Sequence, residues 1–426
     1  MDMLVIEGGR ALNGDVIISG SKNSSLPILI ASLLCEKPST IRNVPDLADT
    51  RFLLDLLKTF GVKLSFLDHV AHIDCSKITG HFAHYDMVRK MRASVLVLAP
   101  LLARTGQATV SLPGGCAIGT RPVDIHLEGL AKLGAIIEVK DGYIHAHLKD
   151  GQFVGAEYKL PLPSVGASEN LIMAAVLAKG STKLKGVAQE PEVYELCQAL
   201  NKAGARIFGL GTSELIIEGV TSLSSIEHDI QPDRVEAGTF MALAALTKSE
   251  ITLKNVKKAD LENVMERFIH AGVKFSDRLH DNGLCDLKLS APLRLLATDI
   301  ETAAFPGFPT DMQAQFMAAM TLAEGTSMIH ERIFENRMMH VPELKRMGAD
   351  ITVKNGLAKV VGQKSLFGAP VMATDLRASA SLIIAALAAQ GKSEIRRVYH
   401  LDRGYEALEK KLTLIGANIK RVEQSL

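Results

Sequence analysis

Six times along the chain an apolar, alanine-rich stretch is followed by a turn and a short strand-like run. The apolar stretches are Ile28–Leu34, Val95–Leu102, Leu171–Leu177, Phe240–Leu246, Phe316–Leu322 and Leu382–Leu387. They lack a broad polar face, which predicts buried helices. Runs such as Thr182-Lys183-Leu184-Lys185 and Ile251-Thr252-Leu253-Lys254 predict strands. A second helical pattern then ends at a glycine and leads into a β-branched run. These glycines are Gly61, Gly134, Gly204, Gly272, Gly348 and Gly416, spaced 73, 70, 68, 76 and 68 residues apart. A glycine just past a helix supplies a left-handed C-terminal cap. Each unit therefore reads as strand, helix, strand, helix, strand, with room for one further strand. A period near 70 exceeds that of ordinary solenoid repeats, so six compact subdomains are expected.

Length sorts these units into domains. A chain of 426 residues is too long for one growing core, and six units divide into three plus three. The boundary falls between Gly219-Val220 and Gln231-Pro232-Asp233-Arg234. The first strand, residues 3–8, precedes Gly20-Ser21-Lys22 and is able to complete either half. If it completes the second, the chain crosses between domains twice.

Hydrophobic residues make up 47% of the chain, enough for a large core. The net charge is +1, from 48 basic and 47 acidic residues, so no basic field points to nucleic acid. Aromatics are 5% with no tryptophan, which leaves little for base stacking. The five cysteines are odd in number and widely spaced, suggesting neither a disulfide framework nor a zinc site. Met1–Gly8 reads as a strand and not a signal peptide, and no run approaches eighteen apolar residues. A cytoplasmic, reduced protein with no membrane partner is expected.

Candidate chemistry concentrates at glycine-rich and polar element ends. In Pro113-Gly114-Gly115-Cys116-Ala117-Ile118-Gly119-Thr120-Arg121-Pro122-Val123-Asp124 a cysteine sits among three glycines, close to an arginine and an aspartate. Glycine lets a backbone approach a ligand, and an arginine lowers a thiol pKa or clamps an anion. The plain alternative is a surface turn that contains a cysteine. Lys22, Arg92, Arg337, Arg377 and Arg403 stand at or near element starts. A cation there opposes the helix dipole unless an anion lies between them. Each alone is more often a solvated surface charge; their recurrence at equivalent places points to an anion-binding cleft. Asp311 and Asp375 precede helices, and both fit either an N-cap or a carboxylate that takes a proton from a hydroxyl.

These stretches, with Gly20-Ser21-Lys22-Asn23, Ser164-Val165-Gly166-Ala167, Phe308–Gln313, Glu335-Asn336-Arg337, Thr374–Ser381 and Asp402-Arg403-Gly404-Tyr405, carry a resemblance over essentially the whole chain. The sequence resembles the UDP-N-acetylglucosamine 1-carboxyvinyltransferases of the enolpyruvyl transferase family. The resemblance implies two similar domains, each an inside-out α/β barrel of three βαβαβ-type units. Residues 1–21 with 231–426 would form a discontinuous catalytic domain, and 22–230 an inserted domain carrying the Cys116 loop as a lid. The site would lie between domains that close on the nucleotide sugar.

The implied substrates are phosphoenolpyruvate and UDP-N-acetylglucosamine; no metal or other cofactor is implied. By the resemblance, Lys22, Arg121 and Arg403 meet phosphoenolpyruvate, and Arg92 and Arg337 shape the same anionic pocket. Asn23, Asp311 and Ile333 contact the sugar nucleotide, with Asp311 as base at the 3-hydroxyl. Arg121, Pro122, Val123 and Asp124, with Ser164, Val165 and Gly166, line the uridine and diphosphate pocket. Asp375 and Arg377 complete the substrate-binding set. Cys116 matches a cysteine that takes part in proton transfer or product release and is alkylated by fosfomycin. Many relatives carry a lysine where this chain has Pro161-Leu162-Pro163, so one phosphate contact is missing or replaced. The competing readings are the shikimate-pathway 3-phosphoshikimate 1-carboxyvinyltransferase, which lacks the cysteine loop, and a non-catalytic nucleotide-sugar-binding protein.

Overall fold

The computed structural model describes residues 2–113 and 123–423. The helix-ending glycines behave as their positions require. Gly61, Gly134, Gly204, Gly272, Gly348 and Gly416 all have φ between 84° and 107°, each directly after a helix C-cap. Glycine enters this left-handed region without the Cβ penalty that other residues meet.

Among the described residues the strands form six four-stranded sheets. In one, Glu157–Lys159 runs parallel to Ser181–Lys185, and the helix Val165–Ala175 makes the crossover between them. A second helix, Pro191–Lys202, leads to a hairpin of Arg206–Phe208 and Glu214–Glu218, and Glu214–Glu218 pairs antiparallel with Ser181–Lys185. Each unit is thus βαβαββ, with a fourth strand beyond the βαβαβ pattern. Burial alternates along Glu214–Glu218, with Leu215 and Ile217 inside.

The expectation of an α/β barrel is corrected here. Every sheet is open, with two distinct edge strands, and none closes on itself. The helices Val165–Ala175, Arg234–Leu246 and Leu376–Ala388 are buried along almost their whole length, whereas Ala48–Thr59 and Glu262–His270 bury one face only.

Three sheets take a strand from far along the chain. Glu227–Asp229 pairs in parallel with Ser39–Arg42, and Asn13–Ile17 with Glu250–Val256. Asp2–Glu7 lies between Lys392–Arg396 and Asn418–Glu423. These pairings divide the chain into two compact units. One holds the described residues up to Ser19 and from Pro232 onward; the other holds those from Gly20 to Gln231. Each closes on its own backbone bond. Asp233 N donates to Ser19 O at 2.8 Å in the first, and Ser21 N to Gln231 O at 2.8 Å in the second.

Each unit has its own core. In the first, the helices Arg234–Leu246, Gln313–Met320 and Leu376–Ala388 pack on one another, with Phe240, Phe268 and Phe316 fully buried. In the second, Leu98–Thr105 packs on Val165–Ala175, while Lys22–Ala31 packs on Pro191–Lys202. Among the described residues, no helix is long and apolar enough to cross a membrane.

Candidate active site

In the first unit the N-terminal halves of the three central helices meet at a buried polar cluster. The Asp311 carboxylate accepts from two guanidiniums, Arg337 Nη2 at 2.6 Å and Arg377 Nη2 at 2.7 Å. The arginine side chains are 7% and 6% exposed, and that of Asp311 is 27% exposed, so the pair is buried while the carboxylate keeps an open side. Burial alone would push the Asp311 carboxyl up. The charges and hydrogen bonds of Arg377 and Arg337 outweigh it and hold the group well below the usual carboxylate range.

Arg377 is fixed in turn by Tyr405. The phenol oxygen accepts from Arg377 Nη1 at 3.3 Å, pairs with Thr239 Oγ1 at 2.8 Å, and accepts from Gln315 Nε2 at 3.3 Å. Gln315 Nε2 also donates to the Asp311 carbonyl at 2.9 Å. Thr239, Gln315 and Arg377 come one from each central helix, so a single hydroxyl ties the three together. Burial raises the Tyr405 pKa, which keeps that hydroxyl protonated.

The two carboxylates that look alike in sequence part company here. Asp375 is an N-cap: its Oδ1 accepts from the backbone N of Arg377 at 2.8 Å and of Ala378 at 3.0 Å. Asp311 caps nothing with its side chain. It lies in the 3₁₀ turn Thr310–Met312 and faces the arginines. Arg403 ends the 3₁₀ helix Val398–Arg403, two residues before Tyr405, and Ile333 is 40% exposed on the loop before Arg337.

In the second unit, Lys22 opens the helix Lys22–Ala31, which Ser21 caps through Ser24 N. The dipole problem posed by a cation at that end is solved by Asp49, whose carboxylate lies 2.8 Å from Lys22 Nζ. Asn23 is half-buried one residue on. Arg92 opens the 3₁₀ helix Arg92–Val97. Val123 and Asp124 start the helix Asp124–Lys132, and Ser164 caps Val165–Ala175 through Ala167 N, so Val165 and Gly166 form that helix's first residues.

Sequence reasoning passed over His126, which joins these pieces. Its Nδ1 lies 3.1 Å from Asn170 Nδ2, and Asn170 Oδ1 accepts from Ala99 N at 3.2 Å. The amide is therefore oriented as donor to His126, which leaves the imidazole proton on Nε2. Burial, with the charge of Arg92, pulls the His126 pKa down to about 4, so the ring is neutral at pH 7. A Cβ on Gly166 would sit 3.6 Å from His126 Nε2, in ordinary contact, which places the ring beside that helix start.

Asp49 and Gln315 were missed as well, and Tyr405 stood in its motif without a role. Asp49 had a signal of its own, a carboxylate in the first turn of Ala48–Thr59. Cys116, Arg121 and Pro122 lie outside the described residues. Pro161-Leu162-Pro163 is exposed.

The fold is that of enolpyruvyl-transferring enzymes. The enolpyruvyl transferase NikO from Streptomyces tendae matches with a TM-score of 0.89 at 24% identity, covering 100% of this chain and 99% of that one. EPSP synthase from Acinetobacter baumannii matches at 0.77 and 18%, covering 100% of both chains. In sequence, the profile of the EPSP synthase (3-phosphoshikimate 1-carboxyvinyltransferase) family matches residues 6–412. The UDP-N-acetylglucosamine 1-carboxyvinyltransferase of Geobacter metallireducens is 51% identical over 424 residues, and that of Desulfovibrio desulfuricans 52%, each covering 100% of both chains. The chain belongs to the UDP-N-acetylglucosamine 1-carboxyvinyltransferase family.

Proposed function

We propose that this chain transfers the enolpyruvyl group of phosphoenolpyruvate to the 3-hydroxyl of UDP-N-acetylglucosamine and releases inorganic phosphate, the first committed step of peptidoglycan synthesis. The observation that carries the choice of acceptor is 51% identity, end to end, with relatives of that activity. The family profile is described by a different acceptor, a phosphorylated shikimate, and that is the second reading. It is the weaker one, because EPSP synthase from Acinetobacter baumannii shares 18% identity with this chain.

The reaction adds the sugar oxygen to carbon two of phosphoenolpyruvate while the methylene carbon gains a proton. Elimination then breaks the bond from carbon two to the phosphate oxygen, and the methyl group returns a proton. Net, the hydroxyl proton leaves with phosphate. Both substrates are anionic, and cation-like character develops at carbon two, so positioned charge matters at every step.

Lys22, Arg121 and Arg403 bind the phosphate and carboxylate of phosphoenolpyruvate, and Arg92 shapes that pocket. Arginine forks match both anions bidentately. Asn23 and Ile333 contact the sugar nucleotide. Arg121, Pro122, Val123 and Asp124, with Ser164, Val165 and Gly166, receive the uridine and diphosphate. Cys116 serves proton transfer or product release. Asp375 acts through its helix, holding Arg377 in place.

Asp311 meets the 3-hydroxyl. Held by Arg337 and Arg377, its carboxylate carries no proton at neutral pH, the state a base requires. The same clamp makes it a weak base, so fixing the hydroxyl in line with carbon two is the larger share of its work. The buried free thiols Cys35, Cys75, Cys197 and Cys285 fit a reducing compartment, and we assign the protein to the cytoplasm.

Phosphate release measured with phosphoenolpyruvate and one acceptor at a time tests this reading. Turnover with UDP-N-acetylglucosamine and none with shikimate 3-phosphate is expected; the reverse would establish the second reading.

A further inference from the structure

The Asp311 clamp is itself held by a carboxylate that neither the motifs nor the proposed substrate contacts include. Glu331 follows the strand Thr326–His330 and is 6% exposed. Its Oε1 accepts from Thr302 Oγ1 at 2.9 Å, Ile333 N at 2.8 Å and Phe334 N at 3.1 Å, and its Oε2 from Thr310 Oγ1 at 2.8 Å. All four partners are donors, and a carboxylate is the side chain that accepts on both oxygens.

We propose that Glu331 is a positioning residue for the transfer, setting Arg337, and through it Asp311, by two routes. The first is the Thr310 hydroxyl. Arg337 Nη1 donates to Thr310 Oγ1 at 2.9 Å. A guanidinium has no acceptor, so this contact occupies a lone pair of the hydroxyl and directs its single hydrogen to Glu331. The order Arg337 to Thr310 to Glu331 is forced. The second route is Phe334. Glu331 binds its backbone N–H, and its ring carries the Arg337 guanidinium 5.3 Å above the centroid. The same oxygen fixes the backbone of Ile333, whose side chain projects outward. One buried carboxylate thus sets the register of Thr310, Ile333, Phe334 and Arg337 together.

Glu331→Gln keeps size and shape but turns one oxygen into a donor. Facing Thr310, that amide would offer a second donor to a hydroxyl that already accepts from Arg337, and the hydroxyl hydrogen would lose its acceptor. Arg337 then loosens from Asp311. Small misplacements of reacting groups reduce rates by up to about 10²-fold, and the inference rests on the role assigned to Asp311. The experiment therefore runs Glu331→Gln, Thr310→Val, Thr310→Ser, the double variant Glu331→Gln with Thr310→Val, and Asp311→Asn side by side. It reads kcat and KM for both substrates, and thermal unfolding.

The expected result is about a tenfold fall in kcat for Glu331→Gln at little change in KM for phosphoenolpyruvate. Thr310→Val should fall similarly, the double variant no further, and Thr310→Ser, which keeps the hydroxyl, should recover most of the loss. Thr310→Val reads the same link should Glu331→Gln fail to fold. Full additivity of the two changes, or losses that follow unfolding temperature alone, would overturn the inference while leaving Asp311 in its role. Normal turnover in Asp311→Asn would instead remove the reading on which it rests, and the inference with it.

Discussion

At the scale of single residues, the site is a contest between burial and pairing. Arg337 and Arg377 are almost fully enclosed, and an enclosed guanidinium without a counter-charge is strongly unfavourable. Asp311 supplies the counter-charge to both. Asp311→Asn keeps the shape but leaves two cations facing each other. Turnover should drop about 10²–10⁴-fold. Stability should drop by about 1–2 kcal/mol, a discounted figure because the carboxylate is partly open to solvent. Steady-state kinetics beside denaturant unfolding reads both, and near-normal turnover would remove Asp311 from the chemistry. The sign of the pH effect follows from the depressed carboxyl. Its stabilisation is present above the unfolded value, near 3.9, and is lost as pH falls through the lower folded value. The Asp311 contribution should therefore be constant from about pH 5 upward.

The thiols are a contest of the same kind. Burial raises Cys35 to about 11 and Cys75 and Cys197 to about 12, and it raises Cys285 as well. A thiol in that state is a poor nucleophile at neutral pH. Fosfomycin is expected to add once, on the peptide containing Cys116. Peptide mass mapping that finds an inactivating adduct on one of the other four, with Cys116 unmodified, would show the assignment to be wrong.

At the scale of elements, what the sequence makes legible is local. The six glycines at helix ends, the apolar helices and the βαβα order all follow from short-range periodicity and capping, and they stand in the structure where the pattern puts them. Pairings across the chain leave no such mark. Nothing in Glu227–Asp229 announces Ser39–Arg42 as its partner, and nothing in Asn13–Ile17 announces Glu250–Val256. The barrel expectation failed at this level, since edge-to-edge closure is a property of sheets and not of any one strand. Asp311 and Asp375 were indistinguishable for a related reason: a carboxylate before a helix looks like a cap whether or not it caps. Lys22 carried the opposite signal, an unfavourable dipole that demanded an anion, and the anion proved to be Asp49.

One glycine of the Gly20-Ser21-Lys22-Asn23 motif has an element-scale explanation. A Cβ on Gly20 would fall 1.8 Å from the carbonyl oxygen of Asn43, a backbone atom that cannot swing aside. Asn43 is itself tied through Nδ2 to Ile230 O at 2.7 Å. Gly20→Ala should destabilise by about 3 kcal/mol, as overpacking against fixed atoms does. Chemical denaturation measures it, and a change under about 0.5 kcal/mol would contradict the close approach.

At the scale of the whole molecule, two separate cores imply two cooperative units. The buried residues of Gly20–Gln231 form one cluster, and those of the first and last segments form another. Calorimetry should then depart from two-state unfolding, with a van't Hoff enthalpy below the calorimetric one. Gly20→Ala should lower one transition and Phe316→Ala the other. A single transition that both variants shift equally would show that the cores do not unfold independently.

The central claim is that the enolpyruvyl group ends on the 3-oxygen of the sugar nucleotide. Purified enzyme, phosphoenolpyruvate, UDP-N-acetylglucosamine and shikimate 3-phosphate in one tube test it most directly, with the product characterised by carbon–proton correlation NMR. The account predicts one enolpyruvyl ether, shown by a three-bond correlation between the sugar proton at position 3 and the quaternary vinyl carbon, and unchanged shikimate 3-phosphate. An ether at another position, or on the shikimate, would contradict it.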